Sequence, residues 1–588
     1  MRRTRNRLAV ALGTLWCVAA VAGPAGAVEA NVLEAQQQRV DVVRKVAASV
    51  VAIFSADGNG GGSGVLISAD GYALSNFHVT SACGDFMKCG LNDGRLYDAV
   101  IVGIDPTGDV ALVKLLGRDD FPHATLGDSD KLSVGDWTYA MGNPFLLATD
   151  FQPTVTAGIV SGLHRYQYPA GTLLEYTDCI QVDTSINPGN SGGPLFNAAG
   201  ELVGINGRIS VEKRGRVNVG AGYSISINQI KHFMDHLRGG HVVDHATLGA
   251  TVRTGSDREV VVDTILDQSA AWRRGLREDD EIVSFAGRPI GSVNQFKNIL
   301  GIYPKGWSLP LVYRRDGRKQ EVVVELRALH RESELKPKQP QAPRGKPKPN
   351  PDDLNPFKAP GAKLPKEELP AEYKKLFVKK AGYANYYFNQ QEQQRVLRGL
   401  DLLQSWRSVS GRWKLTGKTT TGEDFVLTMA DKGLGLQLPN RPGLQPLEGA
   451  ADFLDEPPGS GGLLAALHQF KLLLTKGAES FTEFAYVGSQ PLDGRGVPVD
   501  VLLTKKGGVE SHWYFRKADG VFVGFDSLLG ADVDPCEIRF VDFGDFGGKR
   551  FPSRFVVRHG DADFATFEVL TLEVLADAEK KSDNGNGN

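Results

Sequence analysis

The stretch Gly189-Asn190-Ser191-Gly192-Gly193-Pro194-Leu195-Phe196 places a serine between small, turn-forming residues. Glycine accepts backbone dihedrals that other residues avoid, and it lets a substrate approach the main chain closely. Such a corner also leaves backbone N–H groups free to point at one spot, as an oxyanion hole requires. The stretch alone fits a plain Gly-rich turn equally well, so the rest of the chain has to decide between the two interpretations.

A serine hydroxyl is a poor nucleophile at neutral pH unless a base takes its proton and a third group orients that base. His78 follows a strand-like run and is a candidate base, although a histidine at a strand end can be purely structural. Asp109 precedes an apolar strand-like run and is a candidate orienting group, with Asp105 as a competitor and a strand-start cap as the alternative role. The order His, Asp, Ser is that of chymotrypsin-type proteases, not of subtilisin or the α/β-hydrolases.

The distribution of strand-like runs, turn residues and linker-like residues divides the chain of 588 residues into several regions. Short β runs broken by Gly, Asn and Asp turns fill residues 40–240 and predict an all-β sandwich or a pair of barrels. Residues 245–328 form a smaller unit of mixed strands and short helices. The Lys/Pro-rich stretch 331–370 cannot build a core and predicts an extended linker.

Residues 380–576 predict an α+β C-terminal domain of unknown role. Two stretches, Tyr386–Trp406 and Leu463–Thr475, have the period of amphipathic helices among many strand-like runs. This outline is similar to the half-barrel carriers of exported lipoproteins. The aromatic runs Tyr386–Phe388 and Trp513–Phe515 are interpreted as core, with a ligand platform as the alternative.

The N-terminus predicts export. Residues 1–27 combine an Arg-rich start, an apolar run and the small-residue cleavage site Ala25-Gly26-Ala27, as a signal peptide does. An uncleaved anchor is the alternative, although the apolar run is short for a spanning helix. No later stretch is suited to span a membrane, so we expect the periplasm or another extracytoplasmic compartment. The formal net charge of −2 offers no global attraction to nucleic acid.

Four cysteines follow the signal: Cys83, Cys89, Cys179 and Cys536. An even number in an exported chain permits disulfides. The first two can pair locally and the last two can join distant regions, and both pairings stay open. None has metal-ligand spacing, so we expect no metal site, and we expect no cofactor.

Several further segments in the first 200 residues follow one family pattern. They are Gly62–Ser68, Asp70–Tyr72, Ser75–Val79, Gly94-Arg95, Gly108–Ala111, Met141–Phe145, Thr156–Ser161 and Gly189–Leu195. With these segments, residues 40–236 resemble the protease domain of the HtrA (Deg) family of trypsin-like serine proteases. The resemblance implies a mainly β, multidomain chain whose protease domain is a chymotrypsin-like double β-barrel.

The same resemblance assigns the site. It implies that His78 is the general base and that Asp109, not Asp105, orients it. Ser191 is then the nucleophile, and the backbone N–H groups of Gly189 and Ser191 form the oxyanion hole.

The primary pocket is expected to prefer substrate side chains that are not basic. Ser185 lies six residues before the nucleophile, at the expected base of the pocket, where no carboxylate is present to neutralise a buried Lys or Arg. The resemblance places Ile205 and Tyr223 in the pocket walls. These residues favour cleavage after small or medium aliphatic side chains.

A second resemblance covers residues 245–328. The segments on which this resemblance rests are Leu248-Gly249-Ala250, Ser269–Ala271, Gly275-Leu276 and Glu281–Ser284. They resemble the PDZ pattern found after HtrA protease domains, in which an extended peptide and its C-terminal carboxylate bind at Leu248, Gly249 and Ala250. Two residues depart from the pattern: Thr247 stands where an aromatic residue is usual, and Asp279 where glycine is expected. The alternative is therefore a unit with a purely structural role that binds no peptide.

The expected function is therefore that of a serine endopeptidase. It would hydrolyse unfolded or damaged exported proteins through an acyl-enzyme intermediate and bind peptides at the PDZ domain. The alternative is a chaperone or scaffold with a latent site. Family members assemble as trimers through their N-terminal segments, so residues 30–50 are expected to support a homotrimer.

Overall fold

The computed structural model describes residues 30–55, 61–143, 150–167, 173–186, 189–211, 218–335, 369–447 and 452–575. The signal-like segment and most of the Lys/Pro-rich linker lie outside these ranges. Within them the helices are α1 Ala30–Ala47, α2 Phe77–Ser81, α3 Ile227–Arg238, α4 Ala270–Arg273, α5 Val293–Leu300, α6 Ala371–Lys374, α7 Tyr386–Leu397 and α8 Leu463–Lys476. None of these helices has the length and apolar character needed to cross a membrane.

Two closed six-stranded barrels occupy the first part of the chain. The first has the order β1-β2-β3-β6-β5-β4 and the second the order β10-β11-β12-β9-β8-β7. Their strands are β1 Val50–Phe54, β2 Gly61–Leu66, β3 Tyr72–Ser75, β4 Phe86–Gly90, β5 Leu96–Asp105, β6 Val110–Leu115, β7 Trp137–Gly142, β8 Thr154–Gln167, β9 Tyr176–Val182, β10 Pro194–Asn197, β11 Leu202–Val211 and β12 Asn218–Ser226. The expected chymotrypsin-like pair of barrels is confirmed, and the sandwich is excluded.

One hydrophobic core runs across both barrels. It contains Leu112 of the first barrel together with Met141 and Phe196 of the second, all fully buried. Phe233 of α3 packs into the same core, so the helix that leaves the second barrel is anchored to both. Burying such side chains contributes about 1.5–3 kcal/mol each. This shared core thereby fixes the position of the two barrels, and of the loops between them, relative to each other.

The second unit, residues 245–328, is built on an antiparallel sheet of order β14-β15-β16-β18-β19. Its strands are β13 Ala246–Thr247, β14 Ala250–Thr254, β15 Val260–Ile265, β16 Glu281–Phe285, β17 Arg288–Pro289, β18 Ser308–Arg315, β19 Arg318–Glu325 and β20 Arg327–Ala328. Asp279 has φ +65, in the left-handed region that glycine adopts most readily. This conformation explains why a glycine is expected there.

The C-terminal unit is an antiparallel sheet of eleven strands in the order β24-β23-β22-β21-β31-β30-β29-β28-β27-β26-β25. Its strands are β21 Arg412–Thr419, β22 Asp424–Ala430, β23 Gly433–Gln437, β24 Gly443–Pro446, β25 Glu483–Pro491, β26 Pro498–Lys506, β27 Val509–Arg516, β28 Phe522–Leu528, β29 Cys536–Asp545, β30 Arg550–His559 and β31 Ala562–Leu575. The α+β expectation is confirmed. So is the core interpretation of Phe388 and of Trp513–Phe515, which are buried.

Both helix predictions in this unit need correction. The stretch Tyr386–Trp406 is not one helix, because α7 ends at Leu397 and a 3₁₀ segment, Arg398–Trp406, follows. Gly399 lies there so close to the Gly520 carbonyl that an added Cβ would stand 2.2 Å from its oxygen. Helix α8 is not amphipathic, since eleven of its fourteen residues are buried in the core of the sheet.

None of these four cysteines forms a disulfide, and all four are buried. Cys83 Sγ instead donates to the Val79 carbonyl at 3.3 Å. Cys179 packs in the core shared by the barrels and Cys536 in the core of the C-terminal unit, which keeps them apart. Burial raises the pKa of Cys89, Cys179 and Cys536. Among the described residues, no cluster of three or more His, Cys, Asp or Glu side chains could hold a metal ion.

Candidate active site

The first barrel supplies a His–Asp pair. His78 lies on α2, directly after β3, and Asp109 lies in the turn between β5 and β6. His78 Nδ1 is 2.8 Å from Asp109 Oδ2, and the His78 backbone N–H donates to Asp109 Oδ1 at 3.0 Å. Asp109 is fully buried, whereas 43% of the His78 side chain stays exposed. The carboxylate therefore fixes one edge of the imidazole while the other edge faces solvent.

Two further contacts hold the aspartate. The Tyr176 hydroxyl donates to Asp109 Oδ2 at 2.5 Å, and the Asn76 side chain donates to the Asp109 carbonyl at 2.9 Å. Burial lowers the pKa of His78, but the hydrogen bond and the charge of Asp109 outweigh burial and raise it above the ordinary value. The neutral imidazole, which is the form that can accept a proton, is thus populated at higher pH than in a free histidine.

Sequence reasoning missed Tyr176, because it lies in a stretch with no recognised motif. Its hydroxyl approaches Asp109 only because β9 of the second barrel lies against the turn that carries the aspartate. Tyr176 is buried, so no water can replace the hydroxyl without rearrangement.

We expect Tyr176→Phe to lower kcat roughly tenfold, because a hydrogen bond to a charged group contributes about 1.5–3 kcal/mol. Steady-state hydrolysis of a peptide substrate measures the loss. Tyr313→Phe is the matched control, since that buried tyrosine donates to Gln320 in the second unit at 2.7 Å. Equal effects of the two substitutions would show that Tyr176 acts only through general stability.

The second barrel supplies Ser191 at the corner that precedes β10. Gly189 and Gly192 have φ +102 and +83, so both use the left-handed region. The Gly192 N–H donates to the Asn206 carbonyl at 2.8 Å. A Cβ added to Gly192 would stand 3.0 Å from the Asn76 backbone N, two residues before His78. The glycines thus let the serine corner pack directly against the histidine segment.

The Ser191 hydroxyl is not hydrogen-bonded to His78. Its partner among the described residues is the Gly207 carbonyl, at the long distance of 3.4 Å. Catalytic hydrogen bonds are often loose without substrate and tighten when it binds. The structure therefore joins His78 to Asp109 and brings the Ser191 corner beside them, while the serine–histidine bond is not formed.

Two amide groups at this corner are available to a ligand. Within the described part of the chain, the N–H groups of Gly189 and Ser191 have no acceptor. The Ser63 hydroxyl donates to the Gly189 carbonyl at 2.7 Å and so anchors the first of them. These are the two amide groups that the resemblance assigns to the oxyanion hole, and neither is used by a backbone acceptor in the described residues.

The expected pocket residues differ in their surroundings. Ser185 is exposed, and its carbonyl accepts a hydrogen bond from the Thr156 hydroxyl at 2.8 Å. Tyr223 is half-buried. Ile205 is fully buried, in the core shared by the two barrels. The alternation of side chains along β11 turns it inward.

The proposed peptide loop of the second unit precedes β14, which is an edge strand of its sheet. Leu248 is buried, and Gly249 has φ +74, where an added Cβ would stand 2.7 Å from the Ser269 side chain. Ala250 begins β14 and is half-buried. Glycine is therefore required at the turn, and the strand after it has one unpaired edge.

The comparisons with known proteins agree with this geometry. A family model described as Trypsin-like peptidase domain matches residues 62–205, which include all three candidate catalytic residues. The Periplasmic serine endoprotease DegP of Escherichia coli (strain K12) is 38% identical over 291 residues, which are 46% of this chain and 59% of that protein. Over this length the chain is similar to serine endoproteases of the DegP type.

Other HtrA relatives match over a similar length. The Probable periplasmic serine endoprotease DegP-like of Chlamydia trachomatis is 35% identical over 275 residues, covering 45% of this chain and 53% of that protein. The solved structure titled HtrA-type protease AlgW with tripeptide is 31% identical and covers 49% of this chain and 96% of that chain, with a TM-score of 0.41. The chain spans between half and three fifths of the length of these curated relatives.

Proposed function

We propose that this protein is a serine endopeptidase that uses His78, Asp109 and Ser191. The observation that carries the proposal is the 2.8 Å contact of His78 Nδ1 with the buried Asp109 carboxylate, next to a serine corner with two available amide donors. The buried carboxylate holds the proton of the imidazole on Nδ1, so Nε2 is left as the acceptor for the proton of the serine hydroxyl.

The reaction follows from these positions. Ser191 Oγ attacks the peptide carbonyl as His78 Nε2 takes its proton, and the oxyanion accepts hydrogen bonds from the N–H groups of Gly189 and Ser191. His78 then gives the proton to the leaving amine as the C–N bond breaks. A water molecule, deprotonated by His78, hydrolyses the acyl-enzyme and restores the serine.

The substrates we propose are unfolded or damaged exported polypeptides. Ser185 carries no charge at the expected base of the pocket, which favours substrates with a non-basic residue before the cleaved bond. The relatives of DegP type are named periplasmic, and the N-terminus here has the composition of an export signal. We therefore place the activity in the periplasm or another extracytoplasmic compartment.

The second unit is proposed to be a PDZ domain that captures peptides. The free edge of β14 can pair with an extended peptide, and the turn at Gly249 can present N–H groups to a C-terminal carboxylate. Support for a trimer comes from α1, where Val32, Leu33 and Val40 are apolar yet exposed. Apolar side chains grouped on one exposed helix favour contact with another subunit, which light scattering can measure.

Fluorophosphonate labelling tests the proposed activity. The full-length protein is expected to be labelled and to cleave denatured casein, and Ser191→Ala is expected to abolish both. Ser133→Ala, an exposed serine outside the site, is the control and should behave as wild type. Absence of labelling of the wild type with casein present would overturn the proposal and leave the chaperone or scaffold alternative.

A further inference from the structure

A second His–Asp pair lies directly behind the catalytic turn. Asp105 Oδ2 is 2.8 Å from His245 Nε2, and both side chains are only 1% exposed. Asp105 is the last residue of β5, four residues before Asp109 and directly before the β5–β6 turn. His245 belongs to the segment that leads from α3 into the second unit. The pair thus joins the turn that carries the catalytic aspartate to the start of the next unit.

Asp105 holds the shape of this turn. Its Oδ1 accepts hydrogen bonds from the backbone N–H groups of Thr107 at 3.1 Å and Gly108 at 2.8 Å. The turn ends at Asp109 with φ +57, a conformation that a non-glycine residue keeps only when its surroundings fix it. The two backbone bonds to Asp105 are such a restraint.

The partners of His245 determine its protonation. Nδ1 lies 2.6 Å from the Gly301 carbonyl, which can only accept, so Nδ1 carries a proton. Nε2 is thereby left to face Asp105 Oδ2, while Oδ1 of the same carboxyl group accepts the two backbone N–H groups. Burial lowers the pKa of His245, but the charge and hydrogen bond of Asp105 outweigh burial and raise it.

The second unit fixes His245 in place. Gly301 caps α5, and the His245 ring stacks on Phe233 of α3 with centroids 4.5 Å apart. On the same helix, buried Asn298 accepts from the Asp178 N–H at 2.6 Å and donates to the His164 carbonyl at 2.8 Å. Helix α5 is thus hydrogen-bonded to the second barrel and, through His245, to the catalytic turn.

The space around this contact is tight. A Cβ added to Gly108 would stand 2.4 Å from Asp105 Oδ2 and 3.0 Å from His245 Nε2. The Glu175 N–H donates to the Thr107 carbonyl at 2.9 Å, one residue before Tyr176, the tyrosine that contacts Asp109. His245 therefore cannot move without moving its neighbours. Because the turn is short, such a movement also displaces the carboxylate of Asp109.

We propose that His245 is a positioning residue for Asp109 that acts through Asp105. The proposal rests on the proposed protease activity. His245, fixed by the Gly301 carbonyl, holds Asp105, and Asp105 holds the turn that ends at the left-handed Asp109, which contacts His78.

The test compares variants of the full chain. We expect His245→Phe to lower kcat by roughly tenfold to a hundredfold, with KM changed by less than about twofold, because small misplacements of catalytic groups cost up to this much. Asp105→Ala should lose a similar factor. Asp105→Asn should lose no more than about threefold, because its amide can donate to a neutral His245 that keeps Nδ1–H on Gly301.

His512→Phe is the matched control, since His512 pairs with Glu510 at 2.8 Å in the C-terminal unit. Wild-type kcat in a folded His245→Phe variant, or an equal loss in His512→Phe, would overturn the proposal. A readout independent of activity is hydrogen exchange of the Thr107 and Gly108 amides in a Ser191→Ala background. Faster exchange on adding His245→Phe supports the proposal, and unchanged exchange refutes it. Failure of wild-type labelling would instead refute the protease function.

Discussion

Replacing Asp109 with Asn is expected to lower kcat by about 10⁴-fold, the loss that follows when the orienting carboxylate of a serine protease becomes an amide. The substitution keeps the acceptor for the His78 N–H but turns an NH₂ group toward His78 Nδ1 and the Tyr176 hydroxyl. The imidazole must then carry its proton on Nε2. In that tautomer it cannot accept the proton of Ser191.

Single-turnover acylation with a peptide substrate measures this loss without interference from product release. Asp500→Asn is the matched control, because Asp500 is also buried and also accepts a tyrosine hydroxyl, that of Tyr486 at 2.8 Å. Its effect on acylation should be negligible. An Asp109→Asn variant that keeps a tenth of the wild-type rate would contradict the assigned role.

Motifs and turn chemistry predicted the central part of the site. Gly189 and Gly192 adopt the positive φ values that a crowded serine corner requires, and His78 meets Asp109 as the order of the motifs implied. Local sequence is sufficient for the two glycines, because their conformation depends on a few neighbouring residues. The pairing of His78 with Asp109, 31 residues apart, was assigned by the resemblance. The resemblance also separated Asp109 from Asp105, since the two carboxylates are only four residues apart and both are buried.

The features that the sequence did not reveal depend on contacts between distant segments. Tyr176 and His245 reach the catalytic turn from another barrel and from the next unit, and no local pattern marks either of them. The amphipathic expectation for α8 failed because an eleven-stranded sheet surrounds the helix on nearly every side.

Phe470→Ala is expected to destabilise the C-terminal unit by about 3–5 kcal/mol, as truncation of a buried Phe does. Phe470 is central on α8 and 1% exposed. Its ring centroid lies 5.4–5.9 Å from those of four phenylalanines across the sheet, which are Phe522, Phe525, Phe540 and Phe551. An Ala leaves a cavity that these rings, held on the three strands β28, β29 and β30, cannot close.

Urea unfolding followed by tryptophan fluorescence measures this change, since Trp413 and Trp513 lie in the same core. Leu570→Ala is the control, because Leu570 lies on β31 but is 65% exposed, and its truncation should change the free energy of unfolding by less than about 0.5 kcal/mol. Equal effects would contradict the central place of Phe470. The Tyr486 carbonyl of the edge strand β25 accepts a hydrogen bond of 2.6 Å from Nε2 of His241, which lies in the segment that leads to His245. Loss of the sheet in Phe470→Ala should therefore lower the rate of Ser191 labelling as well, and an unchanged rate would show that the protease barrels do not depend on this contact.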